Sequence, residues 1–151
     1  LGIPLVGVGT LEIEVFPYAT MGWPACPILD IGRGGVASAL YCLVEEKWQR
    51  VMDDQIQSLE ALVEAISNRG YERVLFCGEG VETKGSLLRE ALGDMAVMPS
   101  QHSPVSRLWS LASVGWDRCT DGLTDNVATL QPHYLRLPTI GSPPKERLIN
   151  R

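Results

Sequence analysis

The apolar positions at the start of the chain predict an extended lead-in followed by a short helix. Residues 3–8 are apolar and rich in β-branched side chains, which predicts a strand or an extended segment. Thr10 begins a helix that Pro17 ends or bends. The acidic residues near its start interact favourably with the positive end of the helix dipole. One side of this helix is apolar, with Leu11, Val15 and Tyr18.

Three further apolar runs predict strands joined by short connections. They cover residues 26–31, 36–44 and 48–52. Connections of a few residues favour antiparallel neighbours, so the three strands are expected to form a meander. The second run is apolar at nearly every position, which indicates that both of its faces are covered.

The hydrophobic period then changes to that of helices alternating with strands. Ser58 is a suitable N-cap for a helix that Gly70 ends. Its inward positions repeat at helical spacing: Leu59, Leu62, Val63 and Ile66. Residues 74–77 predict a buried strand, residues 86–92 a helix and residues 96–98 a short strand.

The last part of the sequence predicts one more helix and an irregular end. Ser103 and Pro104 form an N-cap and first-turn pair. The helix is expected to turn its apolar side inward, with Val105, Leu108, Leu111 and Ala112. Residues 134–137 predict a final extended piece, and residues 142–151 a frayed tail rich in proline and charge.

This order of elements defines the expected fold class. Three antiparallel strands followed by alternating helices and strands are typical of an α/β ribonuclease-H-like lobe, the half-unit of actin-like ATPases. We expect one domain over residues 1–141 and a tail over 142–151. Because the chain begins with Leu1 and runs at once into an apolar segment, we expect it to be part of a longer protein.

The composition of the chain disfavours several classes of function. The chain has 151 residues and a net charge of −5, and an acidic surface disfavours direct binding of nucleic acid. No apolar run reaches the roughly 18 residues of a membrane span. The cysteines, Cys26, Cys42, Cys77 and Cys119, form no CxxC pair, so we expect reduced, buried thiols in a cytoplasmic protein without a metal site.

Two glycine-rich turns are the first candidates for chemistry. Gly78, Glu79 and Gly80 follow a strand and precede a helix, where backbone N–H groups can meet a phosphate. The third glycine of a dinucleotide fingerprint and the GK(S/T) of a P-loop are absent. A tight strand-to-helix turn is therefore the favoured interpretation, and a nucleotide cleft the alternative. Residues 32–35 lie between two strands and predict a hairpin turn.

The remaining candidates for catalysis or metal binding are isolated polar residues. Asp30 could act as an acid or a metal ligand, but a turn-stabilising hydrogen bond is the favoured role. His102 and His133 show no metal-binding spacing, and no GxSxG motif marks a nucleophile. Trp48 and Trp109 are expected in the core or at an interface, since no basic residues accompany them as single-strand binding requires. The pattern contains no catalytic constellation.

Four segments resemble the TsaB (YeaZ) family. Residues 1–12, LGIPLVGVGTLE, resemble a family segment ending in VSTLE, with Gly9 in place of the usual serine. Residues 76–80 resemble a family strand that ends in G-(D/E)-G. Residues 128–138, ATLQPHYLRLP, resemble the terminal P-x-YLR-x-P signature, which is carried by Pro132, Tyr134, Leu135, Arg136 and Pro138.

The fourth segment is the strand-turn-strand DIGRGGVASALY of residues 30–41, which resembles the family's DARRGEVYAALY. The residues that match in register are Asp30, Arg33, Gly34, Val36, Ala39, Leu40 and Tyr41. Gly32, Gly35 and Ala37 replace arginine, glutamate and tyrosine. The charge lost at this turn weakens any contact that the family makes there, and Arg33 stays as the candidate for a carboxylate or partner contact.

The resemblance implies a C-terminal lobe whose N-terminal lobe is absent from this sequence. TsaB proteins are non-catalytic relatives of the TsaD catalytic subunit. With TsaD and a TsaE-type ATPase they support threonylcarbamoyl transfer to adenosine 37 of tRNA. The resemblance implies that these partners bind the full-length protein, whose N-terminal helices pair with TsaD. A homodimer is an alternative. The resemblance implies no enzyme activity, no cofactor and no ATP binding by this lobe alone.

Two other function classes stay open. The family is also described as glycoprotease-like, so a metallopeptidase or another hydrolase is one alternative. A nucleotide-binding ATPase lobe with its site at the Gly78–Gly80 turn is the other. Removal of a covering lobe would expose apolar surface, and the chain is therefore expected to self-associate.

Overall fold

A five-stranded mixed sheet forms the centre of the chain in the computed structural model, which describes residues 2–45, 47–99 and 104–136. The strands are β1 (Ala25–Asp30), β2 (Gly35–Val44), β3 (Lys47–Ser58), β4 (Val74–Cys77) and β5 (Ala96–Val97). Their order across the sheet is β3-β2-β1-β4-β5. The pairs β1–β2 and β2–β3 are antiparallel, which confirms the predicted meander. The pairs β1–β4 and β4–β5 are parallel.

The third strand is longer than the sequence pattern predicts. The prediction ended it at residue 52, but β3 continues to Ser58, which pairs with Gly35. Its last residues are mostly polar, and they stay extended because β2 offers hydrogen-bonding partners along its whole length. A register irregularity at Leu40 and Met52 shifts the alternation of the strand and conceals it from a period-2 pattern.

Two helices cover one face of the sheet. Helix α2 (Leu59–Ser67) begins at the predicted cap, where the Ser58 hydroxyl accepts a hydrogen bond from the Ala61 N–H at 3.2 Å. Helix α3 (Gly80–Leu92) begins six residues earlier than the predicted residue 86. Only its C-terminal half has an apolar period, but its first turn is held by contacts to β1 described below. The buried residues of this face are Cys26, Ile28, Val36, Leu40, Cys42, Met52, Leu59, Leu62, Ile66, Val74, Phe76, Leu88 and Ala96.

The opposite face of the sheet has a thinner cover. Helix α1 (Thr10–Val15) lies on it and continues as a 3₁₀ helix over Phe16–Met21, where Pro17 was predicted to end or bend the helix. Residues 3–8 belong to no helix or strand and form a lead-in outside the sheet. The buried residues on this face are Leu11, Val15, Ala25, Ala39, Tyr41, Leu75 and Cys77, and Leu135 packs against them from near the end of the described chain.

The last helix, α4 (Pro104–Thr120), packs on α1. The prediction that its apolar side faces inward is wrong. Val105 and Leu108 are each 71% exposed, Leu111 is 44% exposed, and Ala112 is exposed too. The helix instead turns Arg107, Ser110, Val114 and Arg118 toward the body of the protein, because its two arginines form ion pairs with acids on α1.

The chain after α4 is irregular up to residue 136. The predicted extended piece at residues 134–136 has no strand partner, and Leu137 lies outside the described residues. So do Ser103 of the predicted cap, His102, Pro138 and the predicted tail 142–151. In the part of the chain that the structure describes, none of the helices combines the length and apolar character needed to cross a bilayer.

Candidate functional site at the carboxyl ends of β1 and β4

Two of the predicted site segments meet at one edge of the sheet. Strands β1 and β4 are parallel, with Pro27 opposite Cys77, so the residues that follow them emerge side by side. Asp30 ends β1, and the turn from Gly78 to Gly80 follows β4 and leads into α3. The carboxyl ends of parallel strands are where open α/β sheets place their ligands, which makes this edge the candidate site.

Backbone packing determines why this turn is glycine-rich. Gly78 has φ of +90°, and a Cβ added there would lie 2.5 Å from the carbonyl oxygen of Ile28. At Gly80 a Cβ would lie 2.9 Å from the same oxygen. Both glycines therefore allow the turn to press against the backbone of β1. The space that they leave is filled by the protein itself, which favours the strand-to-helix turn over a phosphate cradle.

Asp30 ties the same edge to α3. One carboxylate oxygen, Oδ1, accepts a hydrogen bond from the N–H of Gly32 at 2.8 Å, which is the predicted turn-stabilising contact. The other, Oδ2, accepts one from the Thr83 hydroxyl at 2.7 Å and lies 3.2 Å from Nζ of Lys84. The hydrogen bonds from Thr83 and Gly32, and then the Lys84 ammonium, lower the pKa of Asp30 to about 2. Asp30 is thus an anion that joins the hairpin to the start of α3.

The hairpin turn itself adopts left-handed backbone conformations. Gly32, Arg33 and Gly34 have φ of +75°, +55° and +78°, and the turn closes with a hydrogen bond from the Gly35 N–H to the Gly32 carbonyl at 3.1 Å. Arg33 is exposed and makes no ion pair or hydrogen bond with the described residues. Its role as a carboxylate or partner contact stays a prediction. A left-handed residue other than glycine in a turn is uncommon.

Next to the turn lies an ionic cluster that the sequence pattern did not indicate. The Arg107 guanidinium pairs with the carboxylate of Glu14 and lies 3.3 Å from an oxygen of Glu79. The Glu14 side chain is 1% exposed, whereas that of Glu79 is 53% exposed. Burial alone would lower the pKa of Arg107, but the two carboxylates raise it. Glu14 lies four residues after Thr10, near the buried Leu11 and Val15, and that spacing is the signal that marks it as an inward residue.

Thiols and a phenol beside this cluster are poor nucleophiles. Cys77 is buried, and burial, then Cys26, then Glu14, raise its pKa well above the usual range. Burial likewise raises the pKa of Cys26. The pKa of Tyr18 is raised first by burial and then by Cys77 and Glu14. Raised pKa values keep these groups protonated at neutral pH, as expected for structural cysteines.

The residues of the terminal signature take no part in this edge. Leu135 packs on the α1 side of the sheet, whereas Pro132, Tyr134 and Arg136 are exposed. No hydrogen bond or ion pair among the described residues links them to the Gly78–Gly80 turn. His133 is exposed as well. In residues 2–45, 47–99 and 104–136, no three His, Cys, Asp or Glu side chains gather as a metal site.

The charges at this edge show what it can do chemically. Three carboxylates, on Asp30, Glu14 and Glu79, face two cations, Lys84 and Arg107. Each cation already pairs with a carboxylate, so a phosphate would have to displace an existing ion pair and would meet acids beside it. The arrangement therefore locks the elements β1, α1, α3 and α4 together.

A solved structure shares this arrangement of strands and helices. It belongs to an uncharacterized protein with similarity to peptidase YEAZ, from Pseudomonas aeruginosa. The match has a TM-score of 0.58 and 19% sequence identity, and it covers 88% of this chain. The chain has the fold of this YeaZ-like protein. It spans 59% of the length of that protein, so about two fifths of the YeaZ-like structure have no counterpart here.

Half of the chain is similar in sequence to part of a tRNA-modifying enzyme. The chain is 34% identical over 79 residues to a tRNA-2-methylthio-N(6)-dimethylallyladenosine synthase of Fervidobacterium nodosum. The match covers 51% of this chain but only 18% of that enzyme, which is too little to assign the chain to its family. No protein-family model matches the chain.

Proposed function

We propose that the chain is the C-terminal, ribonuclease-H-like lobe of a TsaB-type protein, a non-catalytic subunit in the synthesis of threonylcarbamoyladenosine at position 37 of tRNA. In this proposal the lobe covers residues 1–141, with a tail at 142–151. The full-length protein pairs with a TsaD-type catalytic subunit and a TsaE-type ATPase in the cytoplasm. The lobe itself binds no cofactor and no nucleic acid.

The observation that carries the proposal is the fold shared with the YeaZ-like protein over 88% of this chain. The family motifs support it from the sequence side, since they occur at both ends and in the middle of the chain. The partial match to a tRNA-modifying enzyme agrees with a role in tRNA modification. The antiparallel meander followed by parallel β4 and β5 is the strand order expected of a lobe in an actin-like ATPase.

The contacts at the sheet edge support a structural role for the motif residues. Asp30 holds the hairpin against α3, and the two glycines of the Gly78–Gly80 turn hold α3 against β1. Each of these residues is used by the fold itself. A subunit that acts by presenting a rigid surface needs such contacts, whereas a catalytic lobe needs side chains free to meet a substrate.

Co-expression tests the proposal directly. The complete reading frame is produced together with the matching TsaD-type subunit, and modified nucleosides are measured by mass spectrometry in tRNA from cells with and without it. We expect co-purification and a loss of threonylcarbamoyladenosine when the protein is removed. Normal modification without it, together with no binding of the TsaD-type subunit, would reject the proposal.

A hydrolase is the second candidate, because the structural neighbour is described by its similarity to a peptidase. The described residues offer little for this chemistry: the thiols beside the turn are buried with raised pKa values. The discriminating measurement is the zinc content of the complete protein with a casein-cleavage assay. A zinc-dependent activity that is lost on chelation and restored by zinc would favour the peptidase.

An ATPase lobe is the third candidate, with the nucleotide at the Gly78–Gly80 turn. The backbone of β1 fills the space over both glycines, and Glu79 adds a negative charge to the turn. Saturable ATP binding by the complete protein, abolished by Gly80→Val, would favour this function. We expect no binding by the 151-residue chain.

A further inference from the structure

Strand β3 forms one edge of the sheet. Among the strands that the structure describes, it has a neighbour on one side only, which is β2. With 12 residues, Lys47–Ser58, it is also the longest of these strands. The backbone N–H and C=O groups on the outer side of an edge strand can pair with a strand of another chain. The side chains and the shape of β3 therefore decide which strands can join it.

Two bulges in β3 bring a row of side chains to the face of the sheet that carries α1. The register with β2 shifts between Ser38 and Leu40, and again between Leu40 and Tyr41. Each shift leaves one extra residue on β3, so the strand has one bulge on either side of Met52. The row on the α1 face consists of Trp48, Arg50, Asp54 and Ile56.

The contacts of these side chains place them on that face. The Trp48 ring stacks on Tyr41 with the ring centroids 6.1 Å apart, and Tyr41 belongs to the core on the α1 side. Arg50 pairs with Tyr41 in the register, and its guanidinium lies 2.8 Å from the Asp54 carboxylate. Ile56 is two residues beyond Asp54 and is 36% exposed. Along the strand, the row is therefore aromatic, basic, acidic and aliphatic.

This row is complementary to its own reverse. When two copies of β3 lie antiparallel with Met52 opposite Met52, Arg50 of each copy faces Asp54 of the other. Trp48 of each copy then faces Ile56 of the other, and the twofold symmetry makes every pair occur twice. Unlike charges and apolar side chains directly opposite each other stabilise a pair of strands. A shift of two residues breaks both kinds of pair, and a shift of one residue joins opposite faces.

The bulges of β3 exclude most other strands. Bulges and charged side chains on an edge prevent its pairing with an arbitrary regular strand. In the antiparallel arrangement about Met52, the bulges of the two copies lie opposite each other, because they flank that residue on both sides. Val51 then faces Asp53, whose carboxylate is 96% exposed and stays in water. A second copy is therefore the strand that fits both the irregular backbone and the charge order of this edge.

We infer that two copies of the protein pair along the outer edge of β3, with a twofold axis at Met52. The pairing joins the two five-stranded sheets into one continuous sheet. It uses no residue of α4 and none of the Gly78–Gly80 turn. The interface is specified by the order of charges on a single strand, and its partner is a second copy of this chain.

The test exchanges charges in the protein made from its complete reading frame. Arg50→Asp leaves only acids at the facing positions, and Asp54→Arg leaves only bases. Sedimentation velocity over a concentration series gives the dissociation constant of the wild type, of each variant and of an equimolar mixture of the two variants.

We expect each variant alone to have a dissociation constant raised by about tenfold or more, because like charges face each other twice. The mixture should form heterodimers with an affinity close to that of the wild type, since each facing pair then has opposite charges. Each variant also loses the Arg50–Asp54 contact within its own chain, but mixing cannot restore that contact. Rescue by mixing therefore reports the interface alone.

Arg89→Asp is the matched control, because Arg89 is an exposed arginine on α3, away from β3. It should leave the dissociation constant unchanged. A wild-type protein that is monomeric throughout the series, a dimer that neither charge variant weakens, or a mixture that dissociates like the separate variants would overturn the inference. The readout needs neither tRNA nor a TsaD-type subunit, so its outcome is independent of the proposed function.

Cysteine pairing tests the register and serves if a charge variant fails to fold. Gln49 of one copy faces Gln55 of the other in the arrangement about Met52. On mild oxidation, a mixture of Gln49→Cys and Gln55→Cys proteins should form the disulfide between positions 49 and 55 several-fold faster than either protein forms a disulfide alone. Peptide mapping identifies the bond, and equal rates in the mixture and in the separate proteins would contradict the pairing.

Discussion

The guanidinium of Arg107 on α4 pairs with the carboxylate of Glu14 on α1, and this contact fixes which side of α4 faces the protein. The Glu14 side chain is 1% exposed and that of Arg107 is 37% exposed. A buried carboxylate needs its cation much more than a half-exposed cation needs its carboxylate. Loss of the Arg107 cation should therefore destabilise the attachment of α4 more than loss of the Glu14 carboxylate.

The first prediction follows from this asymmetry. Arg107→Met should destabilise the chain by about 3 kcal/mol, because it removes the cation from a buried carboxylate. Glu14→Gln should cost less, about 1–2 kcal/mol, because the guanidinium left behind can reach water and Glu79. Urea unfolding of both variants and of the double variant measures the two costs and their coupling. Equal costs with no coupling would contradict the role given to the pair.

The second prediction concerns pH and Asp30. Its pKa of about 2 in the folded chain lies below the value of about 3.9 for an unfolded aspartate. Ionised Asp30 therefore stabilises the fold fully above about pH 5, and this contribution is lost as the pH falls from about 4 to 2. The difference in unfolding free energy between wild type and Asp30→Asn should shrink over that interval.

A control for this titration is Asp53→Asn, since the Asp53 carboxylate is 96% exposed. Its effect on the unfolding free energy should be small, because its ion pair with Arg50 is exposed to solvent. If the Asp30→Asn difference stays constant between pH 5 and pH 2, the contacts from Thr83, Gly32 and Lys84 do not stabilise the ionised form.

The third prediction separates packing from backbone strain at two glycines. Gly78→Ala should cost on the order of 3 kcal/mol, because the added Cβ meets the Ile28 carbonyl and the residue has positive φ. Gly34→Ala also has positive φ, but open space surrounds it, so strain alone should cost about 1 kcal/mol. Thermal and urea unfolding of both variants provide the comparison, and equal losses would show that the close approach to β1 has no energetic consequence.

The fourth prediction is self-association of the 151-residue chain. The exposed apolar side chains of α4, which include Val105, Leu108, Trp109 and Trp116, should pair with another exposed apolar surface. Light scattering should therefore give a mass above that of one chain and rising with concentration. Trp109→Gln combined with Trp116→Gln should shift the distribution toward monomer. Leu87→Gln on α3 is the control and should leave it unchanged. A monodisperse monomer of the wild-type chain would count against this expectation.

Most elements of this fold could be predicted because their signals are local. Ser58 caps α2 through a hydrogen bond three residues away, and short turns enforce the antiparallel meander whatever surrounds it. The Asp30 contact to the Gly32 N–H is likewise local, because donor and acceptor are two positions apart in the sequence. Turn chemistry of this kind is written in consecutive residues, so it can be inferred before any packing is known.

The predictions that were wrong concerned elements whose structure depends on contacts with residues far away in the sequence. The polar end of β3 is a strand because Gly35 and its neighbours offer it hydrogen bonds, and α3 begins at Gly80 because Asp30 holds Thr83 and Lys84. Periodicity located the apolar side of α4 but could not say what covers it. The orientation of α4 depends on the ion pair between Glu14 and Arg107, which are 93 positions apart in sequence. The sequence by itself determined the order of most helices and strands, since those preferences are local. Only the tertiary structure decided where β3 ends, where α3 begins and which face of α4 is buried, because these depend on contacts between distant residues.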